Sequence, residues 1–401
     1  MTWSLSLLVS DACNLDCSYC YQRRPVRGRT MDWSVAREAA EAVLRWSGGD
    51  CKLSFSGGEV LLAEDLLRRT VAFVEAERPR DATIPYTLTT NGTLLDDAML
   101  GFLVDHDFEL QISFDGVREA QDLRGKNTFE VLNRLIGRIQ NTYPEFWKNR
   151  VAVGVTLTVS TIPFISRSIQ YFIENSVEHV EIQPVVTWQR WDAASERELV
   201  RQVDQILEMS ERHWRRIHKL PVGFLRPRKP PDPFLPRPPI ACGACAGTGL
   251  TVDVEGRAWG CQLFASSIQQ LPPLGRSVAD ALDLGDIRDP AIDGRLAALP
   301  RAGLDQPVLW ALDKKSSSYS RCSDCRHLAA CHICPASTVH IPSNEDPLKI
   351  ADFPCAFSRI TLDAAAEFAR FTPIDRLLTG LDDLKEPMRR LEKVLPSTKG
   401  A

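Results

Sequence analysis

Three cysteines near the start of the chain, Cys13, Cys17 and Cys20, are separated by three and then two residues. Thiolates at this spacing can wrap one cubane iron–sulfur cluster and hold three of its four irons. The fourth iron is then open to another ligand, much as a catalytic zinc keeps one position free. Completed by a distant residue, the same triplet could instead form a structural zinc site. Eight further cysteines follow: Cys242, Cys245, Cys261, Cys322, Cys325, Cys331, Cys334 and Cys355. Eight thiolates suffice for two fully ligated four-iron clusters, or for two four-thiolate zinc sites. Only Cys51 stands apart, at the head of the apolar run Cys51-Lys52-Leu53-Ser54-Phe55, and a buried strand thiol is expected there.

Redox compartment follows from the same residues. The N-terminus, Met1-Thr2-Trp3-Ser4-Leu5-Ser6-Leu7-Leu8-Val9, is apolar but has no basic leader and no small-residue cleavage site. A strand is expected, not a signal peptide. Without secretion, clustered cysteines in a reducing compartment point to metal and not to disulfides. No apolar run is long enough to span a bilayer, so a cytoplasmic protein with no membrane partner is expected. The net charge of −4 offers no global basic field for nucleic acid.

The elements that must position these cysteines can be read from periodicity. Over residues 1–220, strand patterns at 3–9, 51–56, 84–90, 108–114, 151–159 and 179–186 alternate with helical patterns near 33–46, 61–78, 94–105, 127–141, 163–175 and 195–219. Six βα units in series predict a parallel sheet with right-handed crossovers, an α/β fold closing into a partial (β/α)6 TIM-like barrel. By analogy with complete barrels, chemistry belongs at the C-terminal strand ends. Residues 221–240 are proline-rich and basic, which predicts an extended linker. Residues 241–360 lose strong periodicity, apart from a hairpin at Thr251–Val254, a Glu255-Gly256 turn and Arg257–Trp259, and are expected to be organised by their metal sites. Residues 361–401 are expected to form a helical tail, with Leu377, Leu381, Leu384, Met388, Leu391 and Leu395 on one stripe interrupted by Pro387.

With these residues in hand, the sequence resembles the radical S-adenosylmethionine (SAM) superfamily, whose signature is a Cx3Cx2C loop after the first barrel strand with an aromatic before the third cysteine, here Tyr19. Ser56-Gly57-Gly58-Glu59 resembles the family's GGE motif for the amino group of SAM. Thr89-Thr90-Asn91-Gly92 and Ser113-Phe114-Asp115-Gly116 close the third and fourth strands, the latter where the family contacts the ribose and methionine portions. Arg124, in Asp122-Leu123-Arg124-Gly125, resembles a carboxylate-side contact, and Leu157 belongs to the apolar fifth strand flanking the adenine. The resemblance implies that Cys13, Cys17 and Cys20 hold a catalytic [4Fe-4S] cluster whose open iron chelates SAM. It also implies that reductive cleavage of SAM yields a 5′-deoxyadenosyl radical, and that Tyr19, Gly57, Gly58, Glu59, Thr90, Asn91, Ser113, Asp115, Arg124 and Leu157 surround the cofactor. Backbone near Gly57 and Gly58 can approach closely for want of a side chain, and the cofactor carries the chemistry while the protein positions it.

The later cysteines resemble the SPASM domain found behind the barrel in radical SAM peptide modifiers. Cys245, ten residues, Gly256, four residues, Cys261 fits its pattern, as does Cx2Cx5C at Cys322, Cys325 and Cys331. Two residues, His332 and Ile333, precede Cys334, where the family usually has three. The resemblance implies two interleaved auxiliary [4Fe-4S] clusters, one on Cys242, Cys245, Cys261 and Cys334, the other on Cys322, Cys325, Cys331 and Cys355. With three clusters and SAM, the expected partners are a precursor peptide and an external one-electron reductant such as flavodoxin or ferredoxin.

Sulfatase maturases of the family place an aspartate after the cysteine of the Gly-x4-Cys motif as a base. Gln262 stands there, and an amide cannot accept a proton at neutral pH. Crosslinking of a ribosomally made precursor peptide, through a carbon–carbon or thioether bond, is therefore the expected reaction. The alternatives are oxidation of a protein residue or small molecule and, from another class, a zinc-binding interaction module. The barrel starts at residue 3, so leader recognition is expected to fall to the barrel rim, the SPASM domain or a separate protein. Arg23, Arg24, Arg27 and Arg29, and the basic residues from Arg212 to Lys229, offer either an acidic-peptide surface or a solvated basic face.

Overall fold

A computed structural model describes residues 2–22, 28–226, 242–266 and 269–371. The six expected strands are β1 (Trp3–Ser10), β2 (Cys51–Gly57), β3 (Tyr86–Thr90), β4 (Glu109–Ser113), β5 (Val151–Leu157) and β6 (Val180–Pro184). Each pairs in parallel with the next. Parallel strands covered on both faces become almost uniformly apolar, and β1 shows it: Leu5, Leu7, Leu8 and Val9 are all at most 1% exposed. Cys51 is likewise buried, in β2.

Helices follow each strand: α1 (Trp33–Ser47), α2 (Glu64–Glu77), α3 (Asp97–Asp105), then α4 (Arg118–Gln121), α5 (Thr128–Thr142) and α6 (Pro144–Arg150), α7 (Ile165–Glu174) and α8 (Ala193–Ile217). Local chemistry fixes their ends. Asp32 caps α1 by accepting from the Ser34 amide at 2.7 Å, satisfying an amide that the first turn leaves without a partner. Asp96 and Asp192 do the same for α3 and α8. Short α4 and α6 lie inside the β4–β5 connection, where six plain βα units left no place for them.

The cysteine-rich half joins the barrel's sheet. β7 (Gly249–Val252) lies parallel to β1, with Ser4 opposite Gly249 and Leu7 opposite Val252. β8 (Arg257–Trp259) returns antiparallel as the expected hairpin, and β9 (Asp283–Asp286) adds a further antiparallel edge. The sheet therefore runs β6-β5-β4-β3-β2-β1-β7-β8-β9. The hairpin turn is held by Asp253, fully buried, which accepts from the amides of Glu255 and Arg257 and from the Trp259 indole at 2.9 Å.

Beyond the hairpin the chain is more regular than its cysteines suggested. α9 (Pro273–Leu282), α10 (Ile292–Leu304), α11 (Ala336–Val339) and α12 (Asp352–Phe371) are helical. Pro300 lies inside α10, where a proline costs the helix a hydrogen bond and masks its pattern in the sequence. Of the stretch expected as a linker, residues 221–226 are described. Val222 bridges to Val180, and Val222, Phe224 and Leu225 are buried around a short 3-10 turn, because apolar side chains outweigh the turn-like composition there. A domain boundary at 360 would cut α12, which carries the chain from the cysteine-rich part towards the tail. The stripe from Leu377 to Leu395, the prolines through Pro239, and Arg23, Arg24 and Arg27 lie outside the described residues.

Candidate active site

The cysteine loop leaves β1 and is anchored at every third residue or so. The Ser10 hydroxyl accepts from the Ala12 amide at 3.1 Å and donates to the Arg29 carbonyl. Asp11 takes the Arg29 amide and guanidinium, and Arg29 also reaches Glu255 of the hairpin turn. Asn14 links outward to Thr93 and Asn91, each at 2.8 Å. The Ser18 amide donates to Leu123, and the Cys20 amide closes a turn on the Cys17 carbonyl at 3.1 Å. Cys13 Sγ accepts from the Leu15 amide.

A second loop braces the first. At the end of β2, the Gly58 amide donates to the Ser10 carbonyl at 2.7 Å and the Glu59 amide to the Ala12 carbonyl at 2.8 Å. Gly57 has φ +144, and a Cβ there would stand 2.3 Å from the Ser10 oxygen. A Cβ on Gly58 would stand 2.0 Å from the Ala12 oxygen. The glycine pair is thus demanded by the backbone of the cysteine loop, independently of any ligand.

Cys13, Cys17 and Cys20 all line one cleft of about 340 Å³ at the C-terminal strand ends, as do Tyr19, Gly57, Gly58, Thr90, Asn91, Ser113 and Arg124. Glu59, Asp115 and Leu157 are not in its wall, and each is only 1% exposed. Glu59 is turned inward. It accepts from the Thr90 hydroxyl at 2.5 Å, the Asn91 amide at 2.8 Å and the Leu61 amide at 3.1 Å. Burial raises its carboxyl above the ordinary range, and these donors only partly oppose that. Leu157 sits in the core at the end of β5, its carbonyl held by the Val185 amide.

Asp115 works through its neighbours. It accepts from the Tyr19 hydroxyl at 2.9 Å, the Thr156 amide at 3.0 Å, and Arg124 at 2.7 and 3.2 Å. Burial opposes the charge of Arg124, but Asp115, Tyr19 and Cys17 more than offset it, so the guanidinium is held protonated. Burial raises Tyr19, which therefore stays a neutral phenol. Breaking a buried, bidentate pair of this kind strands a charge, so Asp115 fixes the one guanidinium that lines the cleft among the described residues.

Several lining residues carried no motif. Asp11, Gln22, Thr156, the end of β6 at Gln183 to Val186, and Leu263 all face the cleft. The strand-end rule applied to the sixth strand would have found Gln183 and Pro184. Gln22 donates to the Gly57 carbonyl at 2.9 Å. Gln262, singled out by its place after Cys261, lines the cleft too and accepts from the Ser56 hydroxyl at 3.2 Å, so both halves of the chain build this wall.

The eight later cysteines sort by mutual electrostatics into two sets. Cys261 is acted on by Cys334, Cys242 and Cys245, and Cys334 by Cys242. Cys322 is acted on by Cys355, Cys331 and Cys325. Burial first, then these like neighbours, push Cys261 and Cys322 up to about 12, and burial with Cys242 does the same to Cys245. Thiols this reluctant to ionise alone need a cation to hold them as thiolates, which metal coordination provides. Among the described residues, which include all twelve cysteines, there is no disulfide, and no three His, Cys, Asp or Glu converge closely enough for a single metal ion.

Comparison with known proteins agrees with this geometry. The family model for the Radical SAM superfamily matches residues 7–162. The chain is 28% identical over 189 residues to a cysteine-type anaerobic sulfatase-maturating enzyme of Clostridium perfringens, covering 44% of this chain and 50% of that one. It is 29% identical over 149 residues to a serine-type counterpart of Klebsiella aerogenes, covering 34% and 36%. The chain thus spans about half the length, or less, of these curated relatives. Its fold superposes on the solved structure of anSMEcpe with bound AdoMet at TM-score 0.71 and 18% identity, covering 96% of this chain and 98% of that one. On Streptococcus suis SuiB bound to precursor peptide SuiA the values are 0.55 and 14%, with 88% and 76% covered. No helix among the described residues is long and apolar enough to cross a membrane. The cysteine loop and most of the strand-end cleft around it fall within residues 7–162, the part of the chain that matches the Radical SAM superfamily.

Proposed function

We propose that this chain modifies a ribosomally made precursor peptide, joining two of its residues by a carbon–carbon or thioether bond, with SAM, three [4Fe-4S] clusters and an external one-electron donor such as flavodoxin or ferredoxin. Cys13, Cys17 and Cys20 would hold the SAM-binding cluster. Cys242, Cys245, Cys261 and Cys334 would hold one auxiliary cluster, and Cys322, Cys325, Cys331 and Cys355 the other. A cluster and SAM held in this cleft would supply radical chemistry able to remove a hydrogen atom from the substrate. The protein's own groups bind and orient. Gly57, Gly58 and Arg124 line the cleft, where the glycine backbone would receive the cofactor's amino end and Arg124, fixed by Asp115, would offer a charge for its carboxylate.

The observation that carries the choice of reaction is Gln262. It lines the cleft, it follows Cys261 at the sequence position where the resemblance puts a maturase's base, and it cannot take up a proton. The carboxylate in the lining, Asp11, is engaged by Arg29. Likeness to sulfatase maturases supports a second reading, oxidation of a single peptide residue to an aldehyde.

Anaerobic reconstitution tests the cluster assignment that both readings share. About twelve irons per chain are expected from three clusters, and replacing Cys13, Cys17 and Cys20 with Ala should leave about eight. The triple variant should form no 5′-deoxyadenosine; if it still does, the catalytic assignment is wrong. With the peptide of a neighbouring short reading frame as substrate, mass spectrometry should show loss of two hydrogens and a fragmentation gap between the joined residues. A product that reacts with a hydrazide probe would instead establish the aldehyde.

A further inference from the structure

The segment between β6 and α8 lies against the cysteine-rich half and walls a second cavity, of about 170 Å³. Trp188, Arg190 and Trp191 line it from one half of the chain, and Lys349, Ile350 and Asp352 from the other. Val185 and Val186 line this cavity and the strand-end cleft alike. One extended ligand can therefore lie in both.

The two indoles are used differently. Trp191 is fixed: its Nε1 donates to the Tyr319 hydroxyl at 2.7 Å, and its ring packs on Phe353 at 5.2 Å. Tyr319 in turn donates to Glu196 of α8 at 2.8 Å. Trp188 is 46% exposed, and among the described residues neither its indole N–H nor its ring has a partner. The charges are as uneven. Arg190 and Lys349 are exposed, and neither forms an ion pair among the described residues. Asp352, the one carboxylate among the described lining residues, accepts from the Ser318 hydroxyl and amide. Asp192, which feels Arg190, is committed to capping α8, where it accepts from the Ser195 amide at 2.8 Å. The cavity therefore presents an uncovered indole and two uncommitted cations beside a wall of the cleft.

We propose that this cavity is a specificity subsite for the precursor peptide, taking an acidic side chain close to the residue that is modified. This rests on the reading of a peptide substrate in the cleft. Arg190 and Lys349 hold the carboxylate, and Trp188 covers the chain beside it. Tryptophan and arginine are over-represented where protein interfaces concentrate their energy. Trp188 is two residues past Val186, no more than about 7 Å of extended chain, so the acidic residue sits about two to four positions from the modified one. Binding here makes and breaks no covalent bond.

The test is fluorescence anisotropy of the full reconstituted chain with SAM. The probes are the labelled peptide of the neighbouring short reading frame and a second form with its Asp and Glu changed to Asn and Gln. Exposed ion pairs are individually weak, so the Arg190→Gln, Lys349→Gln double variant, at wild-type iron content, should bind the acidic peptide about five- to tenfold more weakly. The amide form should bind wild type that weakly already and lose nothing further in the double variant. It tests the contact on the unaltered protein, whatever the variants do to folding. Raised salt should narrow the difference. The charge-keeping pair Arg190→Lys, Lys349→Arg should stay within about twofold of wild type. Unchanged affinity for the acidic peptide, or equal loss for both forms, overturns the proposal. So does a peptide that wild type modifies although it has no acidic residue within about four positions of the modified one. A peptide that binds through these cations but carries no crosslink after turnover leaves the subsite standing and sinks only the bond assignment. Crosslinked product with an affinity indifferent to the double variant does the reverse. If wild type neither binds nor modifies the peptide, both fall.

Discussion

Glu59 shows where residue-level reading stops. Its type, its number in the motif and its strand-end position all pointed to a ligand contact. The structure gives its oxygens to Thr90, Asn91 and Leu61 instead. Removing the side chain leaves buried donors unpaired, so Glu59→Ala should lower folding stability by about 1–3 kcal/mol, read by urea unfolding. The acid form is favoured on folding, so the folded state binds the proton more tightly than the unfolded chain. Its contribution is therefore fully present below the ordinary carboxylate range and lost as pH rises through the raised folded value. The stability advantage of wild type over Glu59→Gln should shrink as pH increases; an advantage that grows with pH would contradict this. Cysteine identity and spacing, by contrast, were fully legible. Gln262 was singled out by its place after Cys261, and the structure puts it in the cleft wall. Asp115 was legible as a position but not as a role, since a sequence does not say that a carboxylate points at an arginine nine residues on and not at a ligand.

At the scale of elements, the six βα units stood out because strand and helix periods are distinct and their turns well marked. The second half hid α9 and α10. Pro272 and Pro273 open one, and Pro300 sits inside the other, so local composition looked like loop while tertiary packing made helix. The pairing of β7 with β1 was invisible for another reason: nothing local in four residues says which edge they will join. The cysteine loop and the glycine loop behave as one element, locked through Ser10 and Ala12. Gly58→Ala should therefore displace the cysteine loop itself, at a cost of about 1–3 kcal/mol or more. The expected signature is selective loss of the SAM-binding cluster, about four irons fewer per chain, with the auxiliary clusters retained. Full iron content with merely weaker SAM binding would mean that the glycine matters only to the ligand.

At the scale of the whole molecule, β1 is central to a sheet whose two sides come from opposite halves of the chain. The first half is not self-sufficient: without β7, β1 presents a bare row of amides and carbonyls flanked by apolar residues. A chain ending at residue 226 should therefore aggregate or form higher oligomers in size-exclusion chromatography, even though all six barrel strands are present. A monomeric, soluble product would show that the seam is dispensable.

The same seam has a meaning in time. Ser4 leaves the ribosome long before Gly249, its partner across the sheet. At about 5–20 residues per second, the interval is roughly 12–50 s. Through that wait the cysteine loop is already made, but Glu255 has not reached Arg29 and Gln262 has not reached Ser56. The cavity that the first twenty residues begin is walled only after most of the chain has been translated, so the nascent protein carries an open thiol loop and a raw strand edge together until the hairpin arrives to cover both.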